Sequence, residues 1–368
     1  MLRRINRIVQ DYLREKRLIL GRKLWDRKQG EEKCSEGDII ESNKIKSILF
    51  LRYDGKIGDM VINTLMFREI KKQYPDIKIG VVTRGGATAV IQDNKYVDKI
   101  YKYDKKSSEI TRLAKELSKE KYDLLIDFTE LLRVNQMKFI NLCDARINMG
   151  LEKEGWKLFD ISYKKSEKNE HVTEIYREVL QKLGIKNIDL QYDLQNNSEN
   201  ISKVTEYLQK IGEYKKLVIL NPFAASKHRS LNSEKIQMIL EIVLKEQGTK
   251  VILVSAKENR ALISEYANKY AGRIFVPDFD KIMETAELIK RSDFVISPDT
   301  SIVHIATAYD KKMIAIYRED NPEDNNSILW GPNSKNAKVI YAKRNEARGE
   351  ETDINNFEID EFEKVYRQ

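Results

Sequence analysis

"SDFVISPDTSIVHIATA", residues 292–308, is the stretch that decides the fold. Residues 293–296 form a short β-type run that breaks at Ser297-Pro298. Asp299, Thr300 and Ser301 then stand before an apolar segment, 302–308, that continues as a helix. Strand, polar turn and helix in immediate succession make the repeating half of a parallel α/β sheet.

The same unit recurs in both directions. Residues 46–51 read as a buried strand and 61–74 as a helix stopped by Pro75; strands at 78–83, 100–103 and 123–128 alternate with a short helix after Gly85-Gly86 and a helix at 110–119. After a helix at 172–183, "DLQYDLQNNSEN" (189–200) reads as a connector. Helices at 202–211, 233–246, 259–270, 282–290 and 302–308 then alternate with strands at 216–220, 250–255, 273–276, 293–296 and 313–317. The expected architecture is α/β, with two doubly wound Rossmann-like domains, 45–195 and 196–335, facing across a cleft. Residues 1–44 precede them as a basic helix and linker, and a tail, 336–368, is expected to pack back on the N-terminal domain. Ligands should bind at the carboxyl ends of the strands, between the two sheets.

Composition narrows the class. The 368 residues carry 66 Lys or Arg and 58 Asp or Glu, a net charge of +8, with 41% apolar residues. No apolar run is long enough to span a bilayer and no signal-peptide core is present, so a cytoplasmic protein is expected. The cysteines, Cys34 and Cys143, fit a reducing compartment. Three histidines (His171, His228, His304) make a transition-metal site and a metal cofactor unexpected.

The charge is concentrated at one end. Residues 1–28 hold ten Lys or Arg against three acids, a net of +7, leaving the rest of the chain nearly neutral. Within them Leu2, Ile5, Val9, Tyr12, Leu13, Leu20 and Leu24 recur at helical spacing, giving an apolar stripe flanked by cations. Such a helix can lie on an anionic membrane surface, placing the protein peripherally on the inner face of the plasma membrane, or it can dock on the protein's own body. The basic character stops there, so nucleic acid is not an expected partner.

Four loops carry candidate chemistry. "RYDGKIGDMV" (52–61) sets Gly55 and Gly58 between strand and helix but lacks the third glycine and the later acid of a dinucleotide loop; Asp59 stands at the helix start, as a cap or as a carboxylate aimed into the cleft. "NPFAASKHRSLNSEK" (221–235) offers Lys227, His228 and Arg229 ahead of a helix capped by Asn232 or Ser233, an arrangement that suits an anion. "VSAKENR" (254–260) offers Glu258 for ribose hydroxyls. In the opening stretch, backbone N–H groups and the hydroxyls of Thr300 and Ser301 suit a diphosphate, with His304 one turn on. Asp278 and Asp280 in "PDFD" have the spacing some glycosyltransferases use for a divalent metal, but no third ligand stands nearby and the pair reads as chance.

Taken in order, "ILFLRYDGKIGDMVINTLMFREIKKQYP", "KYDLLIDFTELLR", "VILNPFAASKHRSLNSEKI", "VILVSAKENRALISEYA", "SDFVISPDTSIVHIATA" and the "WGP" of residues 330–332 resemble glycosyltransferase family 9, the ADP-heptose:lipopolysaccharide heptosyltransferases of GT-B fold, over about residues 46–335. The resemblance implies an inverting, metal-independent transfer of heptose from ADP-heptose to a hydroxyl of the lipopolysaccharide core. Asp59 would be the general base; Lys227 or Arg229 the phosphate cation; Thr300, Ser301 and His304 would meet the diphosphate, Asp299 the donor sugar and Glu258 the ribose. An anionic, lipid-linked glycan acceptor would be met by Arg84 and Arg133, with Arg52 a further candidate. Two departures bear on the donor: the family's Gly after Asp-Thr is Ser301, and "PDFDKIME" replaces its usual Gly and Thr. The alternatives are a GT-B transferase using another nucleotide sugar for a cell-surface glycan, or a non-catalytic scaffold.

Overall fold

The computed structural model describes residues 2–28, 34–35, 37–165, 170–321, 324–344 and 352–368, with side chains from Leu13 onward, Arg14 excepted. Among these residues twelve strands form two six-stranded sheets. The first holds β1 (Ser47–Arg52), β2 (Lys78–Thr83), β3 (Lys99–Lys102), β4 (Leu124–Asp127), β5 (Ile147–Leu151) and β6 (Ile161–Tyr163), ordered β3-β2-β1-β4-β5-β6. The second holds β7 (Lys216–Leu220), β8 (Thr249–Leu253), β9 (Ile274–Phe275), β10 (Phe294–Pro298), β11 (Lys312–Arg318) and β12 (Ala337–Ala342), ordered β12-β11-β10-β7-β8-β9. Every neighbouring pair is parallel. Each order reverses beside its first strand, β1 against β4 and β7 against β10, and such reversals leave the crevices in which doubly wound sheets bind ligands.

Helices cover both faces of each sheet, which is why Ile48 to Leu51 and Leu217 to Leu220 can be uninterrupted apolar runs and are almost wholly buried. Register is pinned by a repeated device. Asp98, Asp123, Asp160 and Asp293, each just before a strand, accept the N–H of a residue near the start of the neighbouring strand: Ile79 (2.7 Å), Ser47 (3.0 Å), Asn148 (2.7 Å) and Leu217 (2.7 Å). A one-residue slip would lose these charge-assisted bonds and turn every apolar side chain to the opposite face.

The helix Ile57–Gln73 begins four residues before the point expected from sequence and is buried from Met60 to Ile70, Arg68 and Glu69 included. It lies between the domains, its first turns against the helix Ser301–Ala308 of the second. Arg68 donates to the carbonyls of Gln191 (2.6 Å) and Asp189 (2.7 Å), and Gln191 donates to the carbonyl of Thr307 (3.0 Å), so the connector is strapped to both domains. One apolar cluster runs across the junction, from Ile48 and Phe50 to Val303 and Ala306.

The tail corrects one expectation. It does not return to the N-terminal domain: β12 fills the open edge of β11, and Phe357, Phe362 and Tyr366 bury themselves with Leu240 and Val243 in the core of the second domain. The helix Val134–Cys143 and strands β5 and β6 had not been read from sequence.

At the other end the helix Leu2–Trp25 rests its last turns on Val134–Cys143; Arg22 donates to the carbonyl of Gly155 (2.8 Å) and lies 4.3 Å from the Trp156 ring. Of the expected apolar stripe, Leu13, Leu20 and Leu24 are exposed, so in this part it does not dock on the body. The side chains of Leu2, Ile5, Val9 and Tyr12 lie outside the described residues.

Asp123→Ala removes an acceptor shared by the N–H groups of Lys46 and Ser47 and the Ser47 hydroxyl, together with the ion pair to Arg146, which keeps the Asn43 carbonyl. The expected outcome is a loss of about 2 kcal/mol, read as a lowered urea midpoint with unchanged m-value.

Candidate active site

Two helix N-termini converge in the cleft. A Cβ on Gly58 would stand 2.6 Å from Cδ2 of His304 and 3.6 Å from Cα of Ser301, so the first turns of Ile57–Gln73 and Ser301–Ala308 touch there. Their partial positive charges therefore add over the same space. Thr300 caps the second helix, its hydroxyl accepting from the N–H of Ile302 (3.2 Å) and from Asn221 Nδ2 (3.1 Å). Ser301 follows, lining the cavity and with no positive φ, so a side chain strains nothing where the family resemblance expected glycine.

A cavity of about 990 Å³ opens between the domains from this point. Of the predicted donor residues it brings together Arg229, Glu258, Asp299, Thr300, Ser301 and His304. Lys227 is exposed and does not line it, so of the two candidate phosphate cations the cavity holds Arg229. Asp299 accepts from Asn326 Nδ2 (2.7 Å) and lies 3.8 Å from Arg229; burial raises its pKa while Arg229 opposes the rise. Burial, then the field of His171, lowers the His304 pKa to about 3, so it is a neutral imidazole at physiological pH and no phosphate cation. Arg260 pairs with both Asp278 and Asp280 (2.9 Å to the latter), and no cluster of three metal-ligating side chains exists among the described residues.

A second cavity, of about 430 Å³, lies in the N-terminal domain. Lys56, Asp59 and Trp330 line both. Buried Arg52 lines the smaller one, its Nη2 2.8 Å from Asp59 Oδ1 and 3.4 Å from Asp54. Phe128, Tyr176 and Glu130 add aromatic and acidic surface. Arg84 and Arg133 line neither cavity: Arg84 donates to the carbonyls of Tyr53 (2.7 Å) and Asp54 (2.9 Å), supporting the loop from behind, and Arg133 is an exposed residue at a helix start.

Behind this cavity sits a polar network that sequence did not reveal. Asp127, fully buried, accepts from the Tyr53 hydroxyl (2.7 Å); burial pushes its carboxyl up to about 6, although Tyr53 and Lys153 pull the other way. Lys153, buried at the end of β5, donates to the carbonyls of Thr129 (2.6 Å) and Glu130 (2.9 Å) and so fixes the loop that walls the cavity.

Residues 110–356 match the family profile of Glycosyltransferase family 9 (heptosyltransferase). The chain belongs to glycosyltransferase family 9. It is 27% identical over 305 residues, 80% of this chain and 81% of the relative, to an Escherichia coli K12 protein provisionally named lipopolysaccharide heptosyltransferase 4. In fold it is similar to a family 9 glycosyltransferase from Veillonella parvula (TM-score 0.74, 16% identity, 88% of this chain and 96% of that one) and to the E. coli heptosyltransferase WaaC with ADP (TM-score 0.66, 16% identity, 87% and 99%). The two sheets are thus the halves of a GT-B glycosyltransferase.

Within this family 9 enzyme, Asn221, Lys56, Asn326 and Trp330 are cavity residues that the loop-by-loop reading did not assign. Trp330 had left a signal in the "WGP" of the resemblance, and Asn221 in its "NPFAASK". Lys56 and Asn326 had none, since which exposed polar residue turns inward depends on the loop backbone.

Gly58→Ala should destabilise the enzyme by about 1–3 kcal/mol, because the new methyl meets a buried ring that cannot swing away. In a His304→Ala background the cost should fall, so chemical denaturation of the double-mutant cycle reports the contact. Asp127 predicts a pH dependence. Its folded pKa of about 6 lies above the 3.8 of an ordinary aspartate, so its ionisation lowers stability as pH rises between the two. From pH 5 to 7 the wild type should therefore lose stability relative to Asp127→Asn, by about 1 kcal/mol, in urea titrations at the two pH values.

Proposed function

We propose that this enzyme is an inverting heptosyltransferase that moves heptose from ADP-heptose to a hydroxyl of a lipid-linked lipopolysaccharide-core glycan, at the cytoplasmic face of the membrane that carries its acceptor. The observation that carries the reading is the position of Asp59 on both cavities, held at Oδ1 by Arg52.

With the acceptor in the smaller cavity and the donor in the larger, the acceptor hydroxyl approaches the anomeric carbon beside Asp59. The hydroxyl proton passes to the Asp59 carboxylate as the oxygen bonds to that carbon; the bond to the β-phosphate oxygen breaks with its electron pair on ADP. Attack opposite the leaving group inverts the configuration. Charge on the departing diphosphate falls where both helix N-termini point, beside the hydroxyl of Ser301 and the Arg229 guanidinium. These groups supply the stabilisation without a metal. Asp299, fixed by Asn326, faces the donor sugar, and Glu258 takes the ribose. The likeness to WaaC solved with ADP supports the adenine nucleotide.

Asp59→Asn should lower transfer about 10²- to 10⁴-fold while ADP still stabilises the protein thermally, since Arg52 keeps Asp54 as a partner. Undiminished turnover would end the assignment. In a thermal-shift screen of nucleoside diphosphates and their sugars, ADP species should raise Tm selectively and EDTA should leave the shift unchanged; selective response to a uridine or guanosine diphosphate would move the enzyme to another donor.

A further inference from the structure

The helix Leu2–Trp25 presents a surface that neither cavity explains. Leu13, Leu20 and Leu24, at spacings of seven and four, lie on one face, and the last two are 60% and 58% exposed. Gly21 and Trp25, which meet Val134–Cys143, are turned about a quarter circle away, so the leucine face is not the docked one. Leu18 and Ile19, 40% and 45% exposed, stand on the helix's other sides; scattered exposed leucines need no explanation, but five large apolar side chains exposed along one helix, three of them on one face, do. Residues 1–28 carry +7 of the protein's net +8, and no described helix is long and apolar enough to cross a membrane.

The helix is anchored beside the smaller cavity. Gly21 packs directly on Val134, with an added Cβ only 2.6 Å from Val134 Cγ2, and Gln136, two residues on, lines that cavity. So do Thr129 and Glu130, and Leu131, next in the chain, is 83% exposed. Apolar stripe, cations and cavity rim are therefore neighbours on the N-terminal domain.

We propose that Leu13, Leu20 and Leu24, with the surrounding cations and Leu131, dock this enzyme on a membrane surface rich in anionic phospholipid, with the rim of the smaller cavity against the headgroups. The charge selects this occupant over a second copy, because pairing two such helices would bring two +7 segments together. Lipid accepts both halves of the surface, apolar side chains below the headgroups and Lys or Arg among them.

The test uses the full chain and no transfer assay, so it stands or falls apart from the donor and acceptor assignments. The protein should co-sediment with vesicles of equal parts phosphatidylglycerol and phosphatidylcholine, much less with phosphatidylcholine alone, and less at high salt. Leu13→Ser/Leu20→Ser/Leu24→Ser should weaken that partition at least about tenfold with unchanged circular dichroism, because the replaced side chains are exposed. A polarity-sensitive dye on Leu131→Cys, in a Cys34→Ser background, should blue-shift on the anionic vesicles, while the same dye on Leu262→Cys of the second domain should not. Equal partition of the triple variant, no preference for anionic lipid, or a concentration-dependent dimer abolished by the triple change without vesicle binding would each overturn the proposal. A shift at Leu262 equal to that at Leu131 would overturn the stated orientation.

Discussion

Everything in the cleft follows from how closely the backbone at residue 58 approaches the imidazole of His304. With no Cβ on one side and a neutral ring on the other, the helices Ile57–Gln73 and Ser301–Ala308 touch at their first turns. A charged histidine would be repelled by the two helix N-termini and would need water it cannot reach. Its burial and its neutrality are therefore one condition. The contact sets Asp59 of the first domain across from Ser301 of the second and lets a single apolar cluster run between the domains.

Around that contact the protein matches its buried charges with partners on other elements of the fold. Arg68 ties the connector to the interdomain helix, Arg52 joins the end of β1 to Asp59, and Lys153 holds the Thr129–Glu130 backbone from the end of β5. Each charge removed from water is matched by carbonyls or carboxylates. Such groups are costly only when a partner is missing, so they fix loop positions that apolar packing would leave free.

Much of this was legible in the sequence, and the limits have physical reasons. The alternation of apolar runs and helices gave both doubly wound sheets because strands buried on two faces need continuous apolar stretches. Asp59, Asp299 and Ser301, next to a strand end or helix start, fell on the cavity since those positions are fixed by the sheet, and Arg229 reached it from the middle of its loop. Arg84 and Arg133 also adjoin a strand end and a helix start yet did not, since Arg84 commits its donors to the carbonyls of Tyr53 and Asp54 and Arg133 opens a helix with its side chain exposed. Gly58 was read as a weak nucleotide-loop glycine; its reason lies in a residue of the other domain, which no local pattern reports. Strands β5 and β6 escaped because Asn148, Gly150 and Ser162 interrupt them, so neither is a continuous apolar run.

The segment after β12 bears on when the larger cavity can exist. Ile354 donates its N–H to the carbonyl of His228 (2.8 Å), Asn355 donates its side-chain N–H to the carbonyl of Ser230 (3.0 Å), and the N–H of Asn232 donates to Asn355 (2.8 Å). The loop that holds Arg229 is thus braced by residues 125 positions later in the chain. During synthesis the N-terminal sheet can form while that brace is still unmade. The larger cavity then takes its final shape late, after the N-terminal wall that it faces.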